Sequence, residues 1–469
     1  MKLFGTDGIR GKVGESPITT VDMKKIGFAI AKSMPGEIVH ISNDGRESSY
    51  LIQLGLEEGI LNFEFNEVQR HGLLSTPALS YFLNRSRSNE LKCGIQITAS
   101  HNPYQDNGIK VFDNNGLKIT EEQESRIEYI YNNCNNRYGN KNFFEDFRAE
   151  FTKKPRSNNT SSDLYVQAAR NYLRDKIQNK NNAKMLIMID CANGATSEHV
   201  AEIFNGTDAD NIIDVISIHD QPDGKNINEK CGATHIETLI KEIASHNKVN
   251  ETKIDLGVAF DGDGDRAIFV TTNGDVVDGD EILYIFSKFR KKYKNYEGPV
   301  VGTLMTNYGI QSAYEALGIN FHATNIGDKF VYNKMEEINA EIGGESSGHI
   351  ITTDFIDIPI GDGIITLINL LEVLSKSKEK NLNDLKKITS KHIIPSKLIN
   401  IPVSDKDKFM KDMINQKVFS ELERKVINSG RVLIRASGTE NLIRLLIEHQ
   451  DLNEINKLEK YFCDNIQKT

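Results

Sequence analysis

Cysteine is scarce in this chain: five in 469 residues, at positions 93, 134, 191, 231 and 463. The count is odd, the spacings are wide and no C-x-x-C occurs, which argues against a disulfide framework or a structural zinc site. No apolar run approaches the ~18 residues that cross a bilayer. The opening MKLFGTDGIRG turns glycine-rich at once and lacks the apolar core of a signal peptide. Positive charge is not in excess, since 57 Lys and Arg against 66 Asp and Glu leave −9. No global basic field therefore recruits nucleic acid or an anionic membrane, and an anionic ligand must be held by local cations and backbone N–H groups. Ten prolines, 38% apolar and 26% charged residues fit a soluble globular protein. A reducing cytoplasm is the expected compartment.

At roughly 150 residues per domain the length predicts about three domains. Residues 21–34 place Met23, Ile26 and Ile30 on one helical face, with Thr20 as the expected cap. Strands are predicted at 37–42, 93–98 and 109–112 and a helix at 48–63, an alternation that implies α/β layering. The Asn-, Lys- and Ser-rich segment 132–163 reads as surface loops with a boundary near 155–162. A second α/β pattern begins at strand 184–190, and strand 256–260 is expected to open a third, with helices at 280–290 and 362–376. A polar, Lys-rich stretch at 375–395 marks the last boundary. The tail reads as βαββα: strands 397–403, 431–435 and 442–448 and a helix at 451–467, with Ile455, Leu458, Phe462 and Ile466 spaced by three or four. No internal sequence repeat is visible.

Four constellations carry chemistry. In TASHNP (98–103), continuing YQDNGIK to 110, Ser100 follows a predicted strand, where open α/β sheets bind ligands. A lone loop serine is most often a turn residue, but with a base and an electrophile nearby it can carry a phosphoryl group. In DGDGDR (261–266), Asp261, Asp263 and Asp265 converge if the loop is locally extended, and three converging carboxylates require a cation; hard oxygens suit Mg²⁺. An EF-hand is excluded, because its sixth and twelfth positions fall on Arg266 and Thr272. In GGESSGH (343–349), Glu345, Ser347 and His349 offer an acceptor, a hydroxyl and an imidazole suited to sugar hydroxyls, although a glycine-rich hairpin is the plainer reading. In RASGTENLIR (435–444), Ser437, Gly438 and Thr439 can form an anion nest flanked by Arg435 and Arg444, or simply a turn between strands. Arg10, in GTDGIRG (5–11), is either a phosphate contact or part of a surface turn. The cysteines read as packing residues. A serine carrier, a Mg²⁺ cage, a sugar loop and a phosphate clamp together describe phosphoryl transfer on a polyol.

These motifs, in this order and over essentially the whole chain, resemble the α-D-phosphohexomutases. LFGTDGIRGKVG, PDGKNINEKCGATH (222–235) and IGDKFV (326–331) resemble the branch of that family that acts on amino-sugar phosphates. The resemblance implies an α/β fold of four domains around a central cleft, three similar α/β units plus a smaller C-terminal α+β domain that acts as a mobile lid. The expected domains are 1–160, 161–253, 254–375 and 376–469. It implies that Ser100 is the phosphorylated serine and that Asp261, Asp263 and Asp265 bind Mg²⁺, with the Ser100 phosphate completing the shell. Glu345 and Ser347 would bind sugar hydroxyls, and Arg435, Ser437, Gly438, Thr439 and Arg444 the non-reacting phosphate. Arg10, Lys110 and His349 match positions of phosphate contact or proton transfer, and His101 and Arg266 flank the reacting group. The implied isomerase reaction converts glucosamine 6-phosphate to glucosamine 1-phosphate through a glucosamine 1,6-bisphosphate, and feeds UDP-N-acetylglucosamine and peptidoglycan synthesis. Neutral-sugar mutases on the same scaffold (phosphomannomutase, phosphoglucomutase) and a Mg²⁺-dependent sugar phosphatase are the alternatives. The partner is a small sugar phosphate, not nucleic acid or membrane; a homodimer is one assembly this reading admits. Asn441 stands where the family usually has proline, and Ser346 occupies a position that varies between branches.

Overall fold

The structure, a computed structural model, describes residues 1–62, 67–86, 90–134, 160–177, 184–205, 213–427, 429–436 and 441–466. They form two units, Met1–Leu304 with His322–Lys386, and Met305–Phe321 with Lys387–Thr469.

The first unit holds three five-stranded sheets. The first contains β1 (Ile9–Lys12), β2 (Ile38–Asn43), β3 (Glu67–Leu73), β4 (Leu91–Ile97) and β5 (Asp106–Phe112), in the order β1-β5-β4-β2-β3. The second contains β6 (Met185–Asp190), β7 (Ile213–Ile218), β8 (Leu256–Phe260), β9 (Ala267–Thr271) and β10 (Val276–Val277), in the order β10-β9-β8-β6-β7. The third contains β11 (Val300–Thr303), β12 (Phe321–Thr324), β13 (Ile342–Gly344), β14 (Ile350–Thr352) and β15 (Ile360–Gly361), in the order β12-β11-β13-β14-β15.

All three follow one plan. Parallel pairing runs up to β4, β8 and β13, and each of these then turns back into an antiparallel neighbour, β5, β9 and β14. Along the parallel strands Val39, Ile41, Cys93, Ile95, Ile97, Ile187, Ile189 and Val258 are fully buried, and in the first sheet the buried polar residues His40, Ser42 and Gln96 alternate with them. The pairing corrects one expectation: β8 lies beside β6 in the second sheet, so strand 256–260 is an inner strand of the second α/β unit and does not open a third. Backbone hydrogen bonds decide this, and an apolar strand carries no mark of which neighbour it will take.

Helix Thr20–Ser33 buries Met23, Ile26 and Ile30 as its spacing requires, but the cap is Thr19, whose side chain accepts the Asp22 N–H at 3.0 Å. It packs on helix Ser49–Leu61 so closely that a Cβ on Gly59 would sit 2.0 Å from the Lys24 carbonyl oxygen. The predicted helices at 280–290 and 362–376 are Gly279–Lys294 and Gly363–Lys376, capped by Asp278 and Asp362. Most of the Asn-rich segment lies outside the described residues, but its last residues, 160–163, are not loop: they begin helix Thr160–Lys176, so the expected boundary at 155–162 runs into a helix. Cys93, Cys191 and Cys231 are buried as packing predicts, Cys134 is half-buried and Cys463 is exposed; none is paired in a disulfide. No helix among the described residues is long and apolar enough to cross a membrane.

In the second unit, β16 (Ser396–Pro402), β17 (Gly430–Ala436) and β18 (Leu442–His449) form an antiparallel sheet in the order β16-β18-β17. The expected single helical stretch is two helices, Lys406–Lys411 and Met413–Val426, separated at Asp412, which caps the second. Ile455, Leu458 and Phe462 of helix Leu452–Asn465 pack into the core of this unit.

Two stability predictions follow from this packing. Alanine gains about 1 kcal/mol of helix propensity over glycine, yet Gly59→Ala is expected to destabilise the protein by about 1–3 kcal/mol of overpacking, read as a lower denaturant midpoint. His40 and His199 are held at about 4 by burial, and His71 at about 3 by burial and His40. Their neutral forms stabilise the fold fully above the unfolded histidine pKa of about 6.5, and this contribution is lost as pH falls toward 4. The melting temperature should drop over that window, and His199→Leu should make the drop shallower.

Candidate active site

The three connections from the last parallel strand into its antiparallel neighbour carry the three motifs of the first unit. Ser100 lies between β4 and β5, Asp261–Arg266 between β8 and β9, and Glu345–His349 between β13 and β14. Ser100 is fully buried and adopts a left-handed backbone with φ 52°. Its Oγ donates to Oδ2 of Asp261 at 2.6 Å, and His101 Nδ1 lies 3.4 Å from the same Oγ.

The aspartates converge, though not by the expected extended alternation. Residues 261–264 make a turn, closed by Gly264 N–H to the Asp261 carbonyl (3.1 Å) with Gly264 at φ 77°. One carboxylate oxygen from each of Asp261, Asp263 and Asp265 lies within 4.8 Å of the others, and all three residues are buried. Lys110, on β5, neutralises part of this charge, with Nζ 2.7 Å from Asp263, 2.6 Å from Asp265 and 3.2 Å from Asp7. Thr76 Oγ1 donates to Asp263 Oδ2 at 2.5 Å.

Electrostatics divides the triad. Burial, then Asp265 and Asp263, push the Asp261 carboxyl well above the usual carboxylate range. Burial would also raise Asp265, but Lys110 and His349 more than offset it, and its carboxyl is held low. Arg266 Nε stands 3.8 Å from both Asp261 and Asp265, and these carboxylates raise its pKa against the effect of burial. Burial, with Arg266 and Arg10, lowers His101 to about 4, so its ring is neutral at physiological pH. Two kinds of unsatisfied atom remain buried here. Oδ1 of Asp263 and of Asp265 accepts no hydrogen bond, and Nε of Arg10 and of Arg266 donates none. The first pair suits a hard divalent cation, the second an anion.

From the third sheet, Glu345 accepts the Gly327 N–H at 3.0 Å, Ser347 is half-buried on the same hairpin, and His349 Nε2 lies 3.8 Å from Asp265 and 3.9 Å from Asp328. Four residues are added to those read from the sequence: Thr76, which donates to Asp263; Asp7, which pairs with Arg10, Lys110 and Lys118; Lys118 itself; and Asp328, which pairs with Lys118. Asp7 and Asp328 lie inside motifs already noticed (GTDGIRG and IGDKFV), whereas nothing in the sequence flags Thr76 or Lys118.

In the second unit, Arg435 and Arg444 stand directly opposite each other on β17 and β18. Like charges in register are destabilising without an anion between them, and burial with Arg444 lowers the Arg435 pKa. Ser437, Gly438 and Thr439 lie outside the described residues. A further cluster, Asp190, His219 and Cys231, also gathers within 4.8 Å. There Asp190 fastens loops by accepting the N–H groups of Ala192 (2.9 Å) and Gly232 (2.8 Å). Burial and Asp190 push the Cys231 thiol up to about 12, which keeps it protonated.

The chain matches four Phosphoglucomutase/phosphomannomutase domains: alpha/beta/alpha domain I over residues 1–137, domain II over 163–274, domain III over 278–392 and the C-terminal domain over 398–465. It is 35% identical to a phosphoglucosamine mutase of Alcanivorax borkumensis, covering 100% of this chain and 99% of that protein. It is 37% identical to one of Histophilus somni, covering 96% and 95%. Among solved structures, a Phosphoglucomutase/phosphomannomutase family protein from Burkholderia thailandensis matches with TM-score 0.74 at 21% identity, over 98% of this chain and 96% of that one. Aspergillus fumigatus N-acetylphosphoglucosamine mutase, solved with GlcNAc-6P and magnesium, matches with TM-score 0.65 at 17% identity, over 99% and 95%.

Millimolar Mg²⁺ is expected to raise the melting temperature of the protein; ligand at 100 times its Kd adds about 2.7 kcal/mol. Asp261→Asn relieves carboxylate repulsion, so this variant should melt no lower than wild type without divalent cations while losing the Mg²⁺-induced rise. Differential scanning fluorimetry with and without EDTA reads both.

Proposed function

The chain belongs to the phosphoglucomutase/phosphomannomutase family and, within it, to the phosphoglucosamine mutases, and we propose that it interconverts glucosamine 6-phosphate and glucosamine 1-phosphate with Ser100 as phosphoryl carrier. The observation that carries this reading is the buried Ser100 hydroxyl, 2.6 Å from Asp261, in a site with unsatisfied carboxylate oxygens and unsatisfied guanidinium nitrogens. A phosphoryl group on Ser100 adds about −1.5 to −2 charges and three acceptor oxygens, for which Arg10 and Arg266 have donors to spare.

In the first half-reaction O1 of glucosamine 6-phosphate displaces Oγ at phosphorus. The P–O1 bond forms, the P–Oγ bond breaks, and the O1 proton ends on Oγ. The products are glucosamine 1,6-bisphosphate and a free serine, whose hydroxyl proton Asp261 holds. The bisphosphate turns around, Oγ displaces O6, and the proton passes back from Oγ to O6. Neutral His101, 3.4 Å from Oγ, can relay that proton. The donor set fits Mg²⁺, which Asp261, Asp263 and Asp265 would hold with an oxygen of phospho-Ser100 and which would supply Lewis-acid neutralisation of the transferring group.

Glu345 and Ser347 bind sugar hydroxyls in this reading. Arg435 and Arg444, with Ser437, Gly438 and Thr439, grip whichever phosphate is not reacting. Lys110 and His349 act within the carboxylate network. Four domains organise the chain, with the metal loop in the second and not, as first expected, in the third.

Ser100→Ala should abolish turnover while the melting temperature stays within a few degrees; wild-type-like turnover would sink the proposal. Glucosamine 6-phosphate should exceed glucose 6-phosphate and mannose 6-phosphate about a hundredfold in kcat/KM, or about 2.7 kcal/mol of differential transition-state binding. Equal or reversed preference would assign the chain a neutral-sugar activity. Phosphate release without isomerisation would make it a phosphatase.

A further inference from the structure

The motif PDGKNINEKCGATH at 222–235 has no part in the chemistry described so far, and the structure brings it against the back of the serine loop. Asn228, in the middle of that motif, sends its amide Nδ2 to the carbonyl oxygens of Ser100 (2.8 Å) and Asn102 (3.0 Å). Arg46 reaches the same two carbonyls from the first sheet: Nη2 donates to Ser100 O at 2.9 Å and to Asn102 O at 2.8 Å. Its Nη1 donates to the carbonyls of Pro103 (2.5 Å) and Asp106 (3.0 Å), and Nε to Asp44 at 2.9 Å. All five guanidinium hydrogens are thus engaged, and the side chain has no exposed surface. Arg46 therefore cannot touch a substrate.

The Arg46 loop is tied to the loop of Asn228, which is itself anchored to the turn after β6. Glu47 N–H donates to the Gly224 carbonyl at 2.8 Å, and Asn228 N–H donates to the Ala192 carbonyl at 3.0 Å. Gly262, between the first two aspartates, closes the arrangement. A Cβ there would lie 2.7 Å from the Ser100 carbonyl oxygen and 2.9 Å from Asn228 Nδ2. Only a residue without a side chain lets the metal loop approach so near.

The geometry points to Arg46 and Asn228 as positioning residues for the phosphoryl-carrying serine, an inference that rests on the reading of Ser100 given above. Ser100 holds φ 52°, a conformation that non-glycine residues adopt only when their surroundings impose it. Turning its peptide into an ordinary region would swing the carbonyl away from both donors and move Oγ off Asp261. Two planar donor groups, from the first and the second sheet, converge on the Ser100 and Asn102 carbonyls and lock the turn between them. The serine loop is thereby indexed to the aspartate loop through hydrogen bonds that never meet the sugar.

Asn228→Ala, Asn228→Asp (same size, no donors) and Arg46→Lys test this. Each variant is phosphorylated with glucose 1,6-bisphosphate, and single-turnover transfer to glucosamine 6-phosphate is measured per phosphorylated chain, alongside KM and the melting temperature. Misplacing a reacting atom by about 1 Å costs about a hundredfold in rate, so the two Asn228 variants should lose about that much in transfer rate with KM within threefold of wild type. Arg46→Lys, which keeps the charge and part of the donor set, should fall between them and wild type. A merely structural role would lower the melting temperature and the fraction of chains phosphorylated, but not the transfer rate of those that are. A loss under tenfold per phosphorylated chain in both Asn228 variants overturns the inference. Failure of the wild-type protein to take up phosphate on Ser100 would defeat the underlying functional reading instead, and the two failures are separable in one gel.

Discussion

Three carboxylates buried in one turn repel one another, and the surrounding structure is built to bear that repulsion. Lys110 answers Asp263 and Asp265 from a neighbouring sheet, Arg266 stands off Asp261 and Asp265, and Thr76 holds Asp263. The compensation is incomplete: Asp261 is still pushed well above the usual carboxylate range, and carboxylate oxygens remain without donors. A fully neutralised cluster would be a structural ion-pair network. One left short of positive charge, beside guanidinium nitrogens short of negative charge, is poised for a cation and a phosphoryl group together. Interactions among these groups are strong because water is excluded, so small displacements of any loop carry a large electrostatic cost.

The backbone supplies those loops by one repeated device. In each five-stranded sheet the chain passes from parallel to antiparallel pairing, and the connection at that switch carries chemistry: the serine, the aspartates, and the glutamate–histidine hairpin. The repeat is invisible in the sequence because strand pairing depends on backbone hydrogen bonds and on apolar character, which many residue combinations satisfy. The three loops have different tasks and share no common sequence pattern. In the second unit Arg435 and Arg444 face each other on the antiparallel strands β17 and β18.

Several site residues were legible because their chemistry is local. Alternating aspartates and glycines announce a cation cage, and a serine after a buried strand announces a ligand loop. Helix Thr20–Ser33 could be placed to within a residue from Met23, Ile26 and Ile30, although its cap fell one position early because Thr19 and Thr20 are equally competent. The placement of strand 256–260 failed for a different reason, since choosing its sheet means choosing a partner some 70 residues away.

The amino-acid order alone thus settled the α/β class, the four chemical motifs and the family they resemble, because each is encoded in contiguous residues and in short-range periodicity. Only the folded chain decided that Lys110 belongs to the carboxylates, that Asp7, Lys118 and Asp328 join the same network, and that Arg46 and Asn228 hold the serine loop from behind. A buried lysine, arginine or asparagine is indistinguishable in sequence from its exposed counterparts. Its role is set by which charges and carbonyls the sheets bring within about 3 Å of it.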